Sequence, residues 1–197
     1  ETNKGLCSPV VHSCDSRLTL HGWMDGLVPD FLKQREQDFL KLEETENAFG
    51  PGPLLLLYNV PTAIDDDEIN AMIEDGAREA HRKGCTIYRI YNSKDDDSGV
   101  LLDLSLKQAL EQIASGKWEQ KHIAADQASK DGIILFFSGF SNAEMMATFH
   151  IMAQEIYQET GGLSPACAKA VPNAMQKPLR QVLSEIAGDH ENAEQAE

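Results

Sequence analysis

No apolar run in this chain approaches the roughly 20 residues that a membrane-crossing helix needs, and the longest, Leu54 to Tyr58, is closed off by Pro53 and Asn59. Direct insertion into a membrane is therefore not expected. Cations are scarce as well: 17 Lys and Arg stand against 32 Asp and Glu, a formal charge of -15. So negative a field repels phosphate backbones and anionic headgroups. Nucleic acid is excluded as an expected partner, and a protein with a basic surface is favoured. Cys7, Cys14, Cys85 and Cys167 lie far apart with no C-x-x-C pair, too sparse for a disulfide framework. A reducing compartment, cytosol or organelle matrix, follows. The chain opens at Glu1 with no Met and no cationic segment leading into an apolar stretch, which fits a mature protein whose targeting peptide has been removed, or a trimmed one.

The usual signatures of chemistry are missing too. Neither G-x-G-x-x-G nor G-x-x-x-x-G-K-[ST] occurs, so no loop offers the several backbone amides that cradle a phosphate. No G-x-S-x-G elbow is present, since Gly139 is followed by Phe140 and Ser141. Cys7, His12, Cys14 and His21 make a zinc inventory, but their spacing fits no standard finger. Asp95, Asp96 and Asp97 precede Gly99 as in a calcium loop, yet Lys94 and Ser105 then fall at positions one and twelve, where carboxylates are required. His81, His122, His150 and His190 are scattered. No metal and no cofactor are expected, and a non-catalytic role is favoured over an enzyme.

What the chain does hold is a globular composition, 42% hydrophobic and 25% charged over 197 residues, and an internal echo. Leu106 to Ala114 and Leu179 to Ala187 agree at five of nine positions, at an offset of 73 (179 minus 106), which reads as the last helix of a unit that occurs twice. Residues 1–28 read as an arm rich in Gly and polar residues, and 29–50 as a single helix opened by Pro29 and stopped by Gly50-Pro51-Gly52-Pro53. A first β-α-β-α repeat spans 53–116. It comprises the buried strand Leu54 to Tyr58, a helix from the acids Asp65 to Glu68 as far as Lys83, the alternating strand Cys85 to Tyr91, an extra short strand at Val100 to Leu104, and the closing helix. Residues 117–130 are a polar connection. The second repeat spans 131–188, with a strand at Ile133 to Phe137, a helix at Asn142 to Glu159, and a weaker strand at Ala166 to Val171. Residues 189–197, without core-forming side chains, read as a mobile, disordered tail. Such alternation predicts an α/β fold with a four- to five-stranded, mostly parallel sheet, with two modules side by side as the other arrangement.

The second repeat, in which Ile133 to Phe137 leads into Ser138-Gly139-Phe140-Ser141, a helix, a short strand and the Leu179 to Ile186 helix, resembles a small uncharacterised bacterial and plastid domain-of-unknown-function family. The resemblance covers 131–188 and implies no activity. In the first copy, residues 53–116, Tyr58-Asn59-Val60-Pro61 replaces the turn. Two functional expectations follow. The first is an accessory or assembly subunit of a larger, photosynthetic complex in the chloroplast stroma, with the cytoplasm as the other location. It would meet a basic partner through Trp23, Met24, Asp95, Asp96, Asp97 and Trp118, because aromatics outside the predicted core are enriched where proteins meet. The alternative is a small-ligand sensor or enzyme using Ser138, Gly139, Phe140 and Ser141, where backbone amides and a helix N-terminus converge.

Overall fold

Two apolar stretches dominate the centre of the fold, β1 (Leu54–Tyr58) and β3 (Ile134–Ser138). Strands covered on both faces read as continuous apolar runs, and Leu54 to Leu57 are indeed all fully buried. The computed structural model of the chain describes residues 48–91, 98–118 and 132–194. The sheet order is β2-β1-β3-β4, with β2 at Thr86–Ile90 and β4 at Ala166–Lys169. β1 pairs parallel with β2, β3 parallel with β4, and β1 antiparallel with β3. This is a four-stranded, mostly parallel sheet. The edge strands are only half-buried and carry Arg89 and Lys169, charges of the kind that discourage pairing with another chain.

Alternation of side chains sends Leu55, Leu57, Leu135 and Phe137 to one face and Leu54, Leu56, Ile134 and Phe136 to the other. The first face is covered by crossover helices α1 (Asp66–Gly76), α2 (Arg78–Arg82) and α5 (Asn142–Thr160). The second is covered by α3 (Ser98–Asp103), α4 (Leu106–Ala114) and α6 (Leu179–Glu194). Each fully buried Leu or Phe contributes roughly 1.5–3 kcal/mol, so the two layers hold the sheet from both sides.

Three expectations are corrected. Val100 to Leu104 is not a fifth strand but lies mostly within α3. Leu101 and Leu102 are both buried, which adjacent residues of a strand on a single core face cannot be. The helix expected from Asp65 to Lys83 is broken at Ala77, whose φ of -138° leaves the helical region. Gly76 lies so close to α5 that the two helices cross there almost in backbone contact. The tail expected at 189–197 is helical as far as it is described, since α6 continues through residues 189–194 and His190 Nε2 lies 3.0 Å from Ser164 O. The arm, most of the N-terminal helix and the connection after Trp118 fall outside the described residues.

Candidate functional site

The strand-to-helix turns are where α/β proteins usually place ligands, and the antiparallel pairing of β1 with β3 puts the two turns at opposite ends of the sheet. In the second half, Ser138 ends β3 fully buried, and its hydroxyl donates to Pro51 O at 2.6 Å. Gly139 has φ +76°, and its N–H donates to Phe49 O at 2.8 Å. A Cβ there would lie 3.1 Å from the carbonyl carbon of Gly52. Phe140 is fully buried and meets Phe137 edge to face, with ring centroids 5.3 Å apart. The segment Phe49 to Pro53 thus fills the space a ligand would take.

Ser141 completes the turn by capping α5. Its Oγ accepts from Glu144 N–H at 3.3 Å and donates to Glu144 Oε2 at 2.9 Å, and the carboxylate also accepts from the Ser141 backbone N–H, which completes a capping box. Oε1 of the same carboxylate accepts from the N–H groups of Glu79 and Ala80, at 3.0 and 3.2 Å. One side chain therefore caps two helices, α5 and α2, from different halves of the chain. Partial burial works against ionisation of Glu144, but the hydrogen bonds from Ser141 and from the amides of Ala80 and Glu79 outweigh it and hold the carboxyl below its ordinary value of 4.5. A lowered carboxyl stabilises the fold above its unfolded pKa and loses that contribution as pH falls through the folded value. Glu144→Gln should cost about 1 kcal/mol at pH 7. In urea titrations its gap from the parent should close on moving well below pH 4.5; a gap that stays constant with pH would remove the carboxylate from the account.

The first-half turn is built differently from similar parts. Asn59 takes the left-handed conformation, φ +56°, which Asn tolerates better than most residues. Its N–H donates to Ile90 O at 2.9 Å and its side-chain amide to Gly132 O at 3.4 Å. Pro61 to Ile64 then form a longer loop before Asp65 caps α1, its Oδ1 accepting Glu68 N–H at 2.8 Å. Arg89 holds this loop. Its Nε donates to Asp66 Oδ1 at 2.8 Å, and its terminal nitrogens donate to the carbonyls of Pro61 and Ile64. At the opposite end, Lys169 Nζ donates to Asn142 Oδ1 at 2.7 Å, and desolvation draws its pKa below the usual lysine value.

Of the expected partner-binding residues, only Trp118 is described. It is half-buried against the α4–α6 core, and its indole N–H donates to Gln112 Oε1 at 2.7 Å. Trp23, Met24, Asp95, Asp96 and Asp97 lie outside the described residues. Charge is the stronger feature of the crossover layer. Neither α1 nor α5 contains a Lys or Arg, and Asp67, Glu68, Glu74 and Asp75 are exposed. Among the described residues no group of three or more His, Cys, Asp or Glu is placed to hold a metal ion, and no helix is long and apolar enough to cross a membrane.

Burial pushes the Cys85 and Cys167 thiols up to about 12, which keeps them protonated and poor nucleophiles at neutral pH. Iodoacetamide at neutral pH should leave both unlabelled in the folded protein and label both in urea. Native-state labelling at the denatured rate, read by peptide mass spectrometry, would contradict their burial.

These elements define a mixed α/β protein with an open sheet covered on both faces. Residues 134–192, from the first residue of β3 into the last turns of α6, match a family described as a domain of unknown function, DUF3783. The match covers less than half of the chain. No curated protein and no solved structure matches it.

Proposed function

We propose that this chain is a non-catalytic accessory or assembly subunit that docks on the basic surface of a larger protein complex. The observation that carries the reading is α1 of the crossover layer, which exposes Asp67, Glu68, Glu74 and Asp75 and contains no cation of its own, the layer's Arg78 and Arg82 standing on the short α2. Carboxylates arrayed in this way steer a basic partner and fix its orientation more than they add raw affinity. The turn at Ser138 to Ser141 supplies no second reading, because a ligand there would have to displace Phe49 to Pro53 and the hydrogen bonds they make. The proposed setting is the chloroplast stroma, with a photosynthetic complex as the partner, and import of a tagged precursor into isolated chloroplasts tests that part.

The docking itself is tested by affinity capture from stromal and thylakoid extract, with the double variant Asp67→Lys, Glu74→Lys run in parallel. Both positions are exposed, and the variant should keep its circular dichroism. The parent should retain a basic complex at low salt and release it as ionic strength rises, since the Debye length shrinks to about 3 Å at 1 M. The variant should retain severalfold less. Equal retention by parent and variant, or none by the parent, would end the proposal.

A further inference from the structure

The two halves of the fold correspond in detail. Leu54 faces Thr86 across β1 and β2, and Ile134 faces Ala166 across β3 and β4, the same separation of 32 residues in each case (86 minus 54, 166 minus 134). At the fourth position of each edge strand stands a base, Arg89 or Lys169, and each holds the first residue of a crossover helix, Asp66 or Asn142. The residue after each central strand, Asn59 or Gly139, is left-handed.

Between the halves the correspondence becomes an exchange. Leu56 faces Phe136 at the midpoints of β1 and β3. On the closing-helix side Ser105 bridges Pro178, Leu106 N–H donates to Lys177 O at 2.8 Å, and Leu179 N–H donates to Leu104 O at 2.9 Å. Each of those two bonds is the counterpart of the other at the offset of 73. Contacts in which residue i meets j while the counterpart of j meets that of i define a two-fold, self-complementary interface.

We propose that residues 48–118 and 132–194 are two copies of one unit, and that the surface each shows the other across β1 and β3 is a docking surface for a second copy of that unit. Within one chain the first half occupies the place of a twin. A second half deprived of its first half therefore pairs with another second half, through antiparallel β3 strands centred on Phe136.

This inference is independent of the partner-binding proposal and is tested on the full-length protein carrying an engineered protease site in the connection 119–131. The cleaved protein is unfolded in urea, refolded and weighed by native mass spectrometry. A second sample carries Leu56→Asp, which sets a carboxylate opposite Phe136 and disables β1. The parent should give mainly pairs of unlike fragments, and the variant should raise pairs of two second halves severalfold. Second-half pairs in either sample support the proposal. If second halves are unpaired or aggregated, or pair only with first halves, in both samples, the surface is not self-complementary.

Discussion

Gly76→Ala should destabilise the protein by about 3 kcal/mol, lowering the melting temperature by roughly 6–12 °C for a domain of this size. A Cβ on Gly76 would lie 2.6 Å from Thr148 N and 2.6 Å from Thr148 Oγ1. The first of those atoms is backbone in the middle of α5, so neither a rotamer change nor a small side-chain shift relieves the overlap. The helices would have to separate along the crossing that buries Ile73, Met145 and Met152. Gly188 supplies the control. It also sits in a helix, α6, but nothing lies within 4 Å of its Cβ position. Gly188→Ala should therefore stabilise by about 0.5–1 kcal/mol through lower chain entropy in the unfolded state. Chemical denaturation of both variants reads the contrast, and a Gly76→Ala protein within about 0.5 kcal/mol of the parent would mean that the helices do not cross this closely.

Arg89→Ala should cost about 3 kcal/mol. The Arg89 side chain is only 8% exposed, and its removal takes away donors from two loop carbonyls as well as from Asp66. Surface ion pairs do not compare: Lys83 with Glu79, both well exposed, is worth little. Arg89→Lys should recover only part of the loss, because an ammonium cannot span the fan of acceptors that a guanidinium reaches. The shorter turn at the other end needs less, and a lysine suffices there. Hydrogen exchange provides the local measure: in Arg89→Ala, protection should fall first at Asn59 to Glu68 and only later in β3. Uniform loss of protection across the sheet would show that Arg89 supports the core and not the loop.

How much of this was legible beforehand depended on the kind of signal. Leu54 to Leu57 and Ile133 to Phe137 were plain because a strand covered on both faces has no polar position to disguise it. α4 and the first turns of α6 were plain because the same letters recur. Strand direction between the halves was not, since periodicity is the same whichever way a strand runs. Val100 misled because Leu101 and Leu102 gave no clear period. Asn59 and Gly139 differ as letters yet are both left-handed, and Asn after a strand is itself a signal for that conformation, which it tolerates better than most residues. Ser141-x-x-Glu144 could have been read as a capping box from the sequence. Its second duty, on α2, could not, because Glu79 and Ala80 come near only through the helix crossing. As for the turn at Ser138 to Ser141, its convergent groups were visible in the sequence, whereas their engagement by Phe49 and Pro51 was a long-range fact.

An all-parallel sheet lines up the carboxyl ends of its strands along one rim and opens a crevice there. The reversal between β1 and β3 divides that rim. In the antiparallel register Gly139 falls opposite position 53, six residues from Asn59, so at about 3.3 Å per residue the Asn59 and Gly139 ends face away from each other across roughly 20 Å. Side chains from the two ends cannot converge on one small molecule, so the two turns are separate surfaces that look in opposite directions and share no common crevice.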